Sequence, residues 1–310
     1  MPFSISYHLH RANAVRALTE PGDSVLITIP GYQGLLKSAS PDRRSVQVPL
    51  VHDIKSGRWT MDLDSRAMED ALRTCRAMVL CNPHNPTGRT WRAQELFALA
   101  RLCAKHGVLV ISDEIWADWC WEGEGHTFTP FRNVALDSGC SCITVGAPTK
   151  TFSTAGVHAA FVVIEDPDLK AKYMRHTMPI ACYISNTFGI TAIMAAYEYG
   201  EPWLQAVKVH VLKNIDYLEA YLGEHIPLIH VLRPEATYNV WLDCSGLQLS
   251  PSDLNDFMLN KARIILGRGA DFGPEDQYGQ WQRINVACSR DMLNDSLVRL
   301  KRAVSVGGWS

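Results

Sequence analysis

The sequence has almost no excess charge of either sign. Thirty basic side chains stand against 32 acidic ones, a formal net charge of −2. With no basic block, nothing in it suits a nucleic-acid backbone as partner. No apolar run approaches the roughly 18–20 residues of a membrane span, and residues 1–6 lack the charged-then-apolar pattern of a secretion signal. The nine cysteines form no CxxC pair, the closest being Cys140 and Cys142. An odd, dispersed set speaks for reduced thiols in the cytoplasm and against a disulfide framework or zinc site. The eleven histidines include no HExxH pattern, so no metal is expected. Internal repeats and low-complexity tracts are also missing.

What is present is a chain of 310 residues, 47% of them apolar, enough for one large domain plus a smaller one. Short apolar runs predict strands at 24–30, 45–50, 77–81, 108–113, 142–146 and 159–164. Helical patterns fall between and after them, at 12–19, 63–75, 91–106 and 168–176. That alternation predicts an α/β fold with a mostly parallel sheet. Two longer helices are expected at 184–199 and 202–225. The texture then changes. Strands at 229–232, 238–242 and 283–286, with helices at 252–260 and 290–304, predict a smaller α+β domain. The expected division is 1–225 and 226–310.

Three polar motifs sit where predicted strands end, the side on which parallel sheets bind ligands. The first is Cys81-Asn82-Pro83-His84-Asn85-Pro86-Thr87-Gly88-Arg89, the second Ser112-Asp113-Glu114-Ile115-Trp116. The third, Gly146-Ala147-Pro148-Thr149-Lys150-Thr151-Phe152, puts one lysine among small residues and hydroxyls. Desolvation there favours a neutral, nucleophilic amine, so Lys150 is a candidate Schiff-base former. An amide, a carboxylate and a lysine at successive strand ends are what pyridoxal 5′-phosphate needs. Asp113 would hold the proton on the pyridine nitrogen, if it is not a helix cap or turn residue. The Asn85 amide would donate to the phenolate oxygen, and the surrounding turn would aim it. Asn82 serves the turn itself. Lys150 would then act as general base or acid on a substrate α-proton. His84, between two Asn-Pro turns, is expected to face solvent. Trp119, Cys120 and Trp121 are expected to line a pocket or a dimer surface.

In this order the three motifs resemble the fold-type I pyridoxal-phosphate enzymes of the class I/II aminotransferase group. The stretch from His106 to Asp118, Thr237-Tyr238-Asn239-Val240-Trp241-Leu242-Asp243 and Arg283-Ile284-Asn285-Val286-Ala287-Cys288-Ser289-Arg290 resemble one branch, the MalY/PatB-type cystathionine β-lyases. The resemblance runs from about Arg16 to the end. It implies a large domain of the PLP-dependent transferase type and a homodimer acting on a small amino-acid substrate. Tyr32 is implied to stack on the cofactor ring. Arg283 is implied to bind the substrate α-carboxylate, which a guanidinium fork fits better than an ammonium does. Arg290 is expected to begin the last helix. The implied reaction is carbon–sulfur β-elimination from an L-cysteine S-conjugate or cystathionine, giving thiol, pyruvate and ammonia. An aminotransferase using the same groups, and a catalytically impaired or regulatory cofactor-binding homologue, stand as alternatives.

The departures from the family pattern carry expectations too. The chain is expected to start roughly 80 residues late, lacking an N-terminal arm and a share of the small domain. Ser4-Ile5-Ser6-Tyr7-His8 lies near the phosphate loop, where backbone donors at a helix start hold the anion. The next stretch, Arg11-Ala12-Asn13-Ala14-Val15, is out of register with the family. Trp116 replaces a tyrosine or histidine; its N–H either donates to the phenolate oxygen or the ring only packs. Ala147 replaces a serine, leaving Thr149 and Thr151 to supply phosphate hydroxyls. His158 stands where aminotransferases often have a phosphate-binding arginine.

Overall fold

The computed structural model describes residues 3–4, 7–39, 41–180 and 186–307. In chain order the first part runs β1 (Phe3–Ser4), α1 (Tyr7–Leu18), β2 (Ser24–Ile29), α2 (Gln33–Leu36), β3 (Arg44–Pro49), β4 (Val51–Asp53) and β5 (Arg58–Thr60). It continues with α3 (Arg66–Thr74), β6 (Cys75–Cys81), α4 (Ala93–His106), β7 (Leu109–Asp113), α5 (Phe131–Ser138), β8 (Cys142–Gly146) and β9 (Ala160–Val163). Then come α6 (Pro167–Thr177), α7 (Thr187–Tyr199), α8 (Glu201–His225), β10 (His230–Leu232), β11 (Asn239–Asp243) and α9 (Pro251–Asp256). The last elements are β12 (Gly267–Arg268), α10 (Glu275–Tyr278), β13 (Trp281–Asn285) and α11 (Arg290–Val306).

Seven strands form one mixed sheet in the order β1-β9-β8-β7-β6-β2-β3. Strands β3, β2, β6, β7 and β8 are parallel, whereas β9 runs antiparallel to β8 and β1 antiparallel to β9. The fold is therefore α/β with a mostly parallel sheet. β2 and β7 are buried at every position, the pattern of strands covered on both faces. The two-residue period of a strand sorts their side chains between two cores. Val25, Ile27, Val79 and Ile111 pack with Val15 of α1 and Val211 and Ile215 of α8. Leu26, Met78 and Val110 face the other way, onto Leu72 of α3 and Leu96 and Leu99 of α4. Helix α4 buries Leu96, Leu99, Ala100 and Cys103, the i, i+3, i+4, i+7 stripe of an amphipathic helix. Its Glu95 carboxylate accepts from Arg92 N at 2.8 Å, and it stops at Gly107, whose φ of 66° costs a residue without Cβ nothing.

The second sheet, β10-β11-β13-β12, is antiparallel throughout, and all four strands come after α8. Trp241 and Trp281 stack across it at 5.7 Å. Hairpin β4–β5, which periodicity does not predict, carries Trp59 against Trp281 at 5.5 Å. Helix α5 and the short α2, α10 and β12 are further additions. Helix α1 begins at Tyr7, five residues before the predicted start, and the predicted helix at 252–260 divides into α9 and the π-helical turn Phe257–Lys261. Of the helix predicted at 184–199, residues 184 and 185 lie outside the described residues, and α7 begins at Thr187. α11 starts at Arg290, as expected. Every described cysteine is free, and no described helix is long and apolar enough to cross a membrane.

Gly88 closes the Asn-Pro loop with φ +69°, and a Cβ there would meet the Cβ of Pro234 at 2.4 Å. Gly88→Ala should therefore destabilise the protein by about 2–4 kcal/mol, from left-handed strain plus overpacking; urea denaturation measures it.

Candidate active site

Register brings the motifs together. Cys81 of β6 lies beside Asp113 of β7, and Asp113 beside Val145 of β8. The chain continues past each strand on the same side of the sheet, to Asn85, to Trp116 and to Lys150. Tyr32 leaves β2 on that side as well. β13 of the second sheet supplies Arg283 and, two residues on and so on the same strand face, Asn285. These groups line one cavity of about 150 Å³, which also includes Cys81, Tyr238 and Asn239. Six of the seven residues predicted for the site are on its wall: Tyr32, Asn85, Asp113, Trp116, Lys150 and Arg283.

The Lys150 loop is fixed by its backbone, whose carbonyl accepts the Trp119 indole N–H at 2.8 Å. The amine has no hydrogen-bond partner among the described residues and lies 5.7 Å from the Trp116 ring. Burial lowers its pKa and the Arg283 charge lowers it further, while Asp113 opposes both. The group is thus biased towards the neutral amine that a nucleophile needs. Arg283 donates from Nη1 to Asn85 Oδ1 at 3.0 Å. A guanidinium only donates, so the Asn85 oxygen must face it and the NH2 is left for another acceptor. Arg283 also lies over Phe272 at 4.9 Å, and its buried Nε has no partner. Trp116 is buried, packs edge-on against Tyr238 at 4.7 Å, and finds no acceptor for its N–H among the described residues.

Asp113 is the most constrained group. Burial presses its carboxyl upward, with Lys150 pulling the other way. Its closest partner is one that motif reading misses. Arg11 of α1 places Nη1 2.9 Å from Asp113 Oδ2, both side chains being at most 3% exposed. That contact opposes the pressure of burial and favours the charged carboxylate.

A second chamber of about 300 Å³ shares Lys150, Tyr238 and Asn285 with the first. Its further walls include Trp119, Trp203, Val207 and Val211. His210 is also there, but its Nε2 lies 2.8 Å from the Cys288 carbonyl oxygen.

Several expectations are corrected. Thr149 is buried but is not on the wall of either chamber. Thr151 donates to Asp118 at 2.6 Å, which commits its hydroxyl elsewhere. His158 is exposed and off both walls. The phosphate-loop stretch Ser4–His8 includes Ile5 and Ser6, which lie outside the described residues. Of the tryptophans expected to line a pocket or a dimer surface, Trp119 lines the second chamber, whereas Trp121 is buried at 1% exposure and off both walls. His84 does not face solvent: it is 0% exposed, with Nδ1 2.8 Å from Thr87 Oγ1 and its ring 5.6 Å from that of Trp91. Asn82, expected to serve its own turn, instead donates to the Thr129 carbonyl at 2.9 Å and ties the loop to the segment before α5. No cluster of metal-ligating side chains occurs among the described residues.

Comparison with known proteins places this geometry. The family model for aminotransferase class I and II matches residues 4–300. The cystathionine beta-lyase PatB of Bacillus subtilis (strain 168) is 36% identical over 293 residues, covering 94% of this chain and 74% of PatB. Protein MalY of Escherichia coli (strain K12) is 29% identical over 291 residues, covering 94% of this chain and 73% of MalY. Among solved structures, cystalysin from Treponema denticola, which contains pyridoxal 5′-phosphate, superimposes with a TM-score of 0.92 at 27% identity, covering 98% of this chain and 76% of that one. The PLP-bound C–S lyase from Staphylococcus hominis gives 0.88 at 27% identity, covering 97% and 75%.

Burial drives His84 down to about 3 from the ordinary 6.5, aided by Arg89. The unfolded chain therefore binds a proton that the native chain refuses as pH falls through that interval, and stability drops. Between pH 6.5 and 5 this one group should cost the wild type about 2 kcal/mol. His84→Gln should lose that part of the slope, whatever its absolute stability, in urea titrations at the two pH values.

Proposed function

Because the chain belongs to the aminotransferase class I and II family, we propose that it is a pyridoxal-phosphate-dependent carbon–sulfur β-lyase. Its substrate is an L-cysteine S-conjugate, which it converts to thiol, pyruvate and ammonia. One observation carries the reading: a lysine amine with no hydrogen-bond partner among the described residues, a buried carboxylate and the half-buried guanidinium of Arg283 converge on a single cavity.

The residues present fit the cofactor. The Asn85 NH2, unpartnered among the described residues, would donate to its phenolate oxygen; the Asp113 carboxylate would hold its ring nitrogen, Tyr32 would cover its ring face, and Lys150 would bond its aldehyde carbon. Bound pyridoxal phosphate supplies an electron sink for charge developing at the substrate α-carbon. Arg283 binds the substrate α-carboxylate through its unpaired Nε, which fixes the α-carbon near Lys150. Lys150 takes the α-proton at Nζ, where its lowered pKa makes the neutral base accessible. It can return that proton to the departing sulfur. Trp116 and Tyr238 shield the amine from solvent.

The second chamber bears on which thiol leaves. Among the described residues its walls hold no arginine, and His210 is already engaged. An uncharged alkyl or aryl S-substituent suits those indole and valine surfaces; the charged distal amino acid of cystathionine finds no counter-ion there. We also infer a homodimer of two-domain subunits, residues 1–225 and 226–310. Phe188, Met194 and Tyr199 on α7 are 85%, 62% and 72% exposed, apolar surface that wants a cover. The free cysteines suit a reducing cytoplasm.

With pyridoxal phosphate, an S-aryl cysteine conjugate and no keto acid, the protein should release thiol and pyruvate in equal amounts. Lys150→Ala should lose both that activity and the visible absorbance band that the wild type shows with the cofactor. Arg283→Lys should raise KM roughly tenfold or more by losing the planar fork. Activity that appears only when a keto-acid acceptor is added identifies an aminotransferase instead, and a well-folded wild type with no band sinks the enzyme reading.

A further inference from the structure

We infer that Arg11 is a positioning residue for the cofactor: from behind the cavity wall it keeps Asp113 charged and aimed at the ring nitrogen. This rests on the reading that pyridoxal phosphate binds in the Lys150 cavity.

The geometry is a three-point clamp. Arg11 Nε donates to Ser38 Oγ at 2.8 Å, Nη2 to the Gly34 carbonyl at 2.5 Å, and Nη1 to Asp113 Oδ2 at 2.9 Å. Two anchors on the segment that begins with α2 thus fix the guanidinium plane, and the third donor fixes the carboxylate. Gly34 is what allows the approach, since a Cβ there would lie 2.9 Å from Nη2. Asp113 lines the cavity but Arg11 does not, so the guanidinium reaches the carboxylate from the protein side. It leaves the cavity side to the cofactor. The other carboxylate oxygen has only a long contact, 3.5 Å, to Ile115 N.

The electrostatics give the clamp its purpose. A buried carboxyl without a cation takes up a proton in preference to remaining charged. A neutral carboxyl cannot stabilise a protonated pyridine, and the electron sink depends on that proton. The other groups facing Asp113 do not replace Arg11. Glu114, next in the chain, presses the carboxyl further upward. The Cys81 thiol on β6 is pushed up to about 11 by burial and stays neutral. Lys150, beyond β8, supplies a cation only while its amine is protonated, and burial biases it the other way. Tyr32 lies beside Arg11 and carries no positive charge. Arg11 is the one permanent cation in contact with the carboxylate among the described residues.

The test uses 4′-deoxypyridoxine 5′-phosphate, which has the ring and phosphate but no aldehyde to react with Lys150. Its binding is read by quenching of tryptophan fluorescence from about pH 6.5 to 9, with thermal melts as a check on folding. In Arg11→Met, burial presses the Asp113 carboxyl upward with no guanidinium to oppose it. The carboxyl then takes up its proton at higher pH than in the wild type. Binding should be about tenfold weaker than wild type at the acid end and should converge with it as the carboxyl ionises at the alkaline end. Arg11→Lys, which restores the charge, should recover most of the loss. If Arg11→Met does not fold, Ser38→Ala loosens one anchor and should show a smaller loss with the same pH dependence. A folded variant that binds like wild type at every pH, or one uniformly weaker across the range, overturns the inference; the latter marks mere packing. A wild type that does not bind the probe at all overturns the proposed function, and this inference with it.

Discussion

A carboxylate buried at the end of a central strand is the constraint on which the site depends. β7 lies between β6 and β8 and is buried along its length, so its last side chain, 2% exposed, is largely withdrawn from water. Asp113 must therefore be compensated from inside the protein. That requirement explains why α1 directs an arginine inward, why α2 offers it the Gly34 carbonyl, and why a lysine amine on the next loop can be left without a hydrogen bond among the described residues. The surrounding groups adjust to the charge, and the charge in turn defines where a cationic ring nitrogen can sit.

The central strands were legible because a strand covered on both faces must be apolar at nearly every position, and 24–30, 77–81 and 142–146 read that way. The three motifs were legible because Asn, Pro, Gly and Asp punctuate the chain where such strands stop. Arg11 was not, because its partner is 102 residues away and nothing local marks a helical arginine as buried. Hairpin β4–β5 escaped notice because its residues are polar and alternate weakly; only contact with Trp281 explains Trp59. His84 misled for a physical reason. Turn residues normally sit at the surface, but here the loop folds beneath Pro234 and Trp91, and burial follows from tertiary packing that turn chemistry does not encode. Asn285 was within reach, since it follows Arg283 at the two-residue period of a strand. Its register partner Asn239 was not, because strand pairing between distant segments leaves no local trace.

Glu235 joins parts of the molecule that the chain order separates. Its carboxylate pairs with Arg58 of β5 at 2.6 Å and Arg89 at 3.2 Å, and accepts from Thr90 N at 3.0 Å. Its backbone N–H and that of Ala236 both donate to the Gly88 carbonyl, while Trp121 N donates to the Glu235 carbonyl and Thr237 N to that of Trp119. Trp119 in turn holds the Lys150 carbonyl. The loop that carries Asn85, the tryptophan segment and the approach to β11 are thus stitched into one block. Such a block opens as a unit, because breaking one strand of the stitching exposes buried charge on the others. In hydrogen-exchange terms, the amides of Thr90, Trp121 and Ala236 share a single opening event, and the amide and lysine faces of the cavity are assembled or lost together.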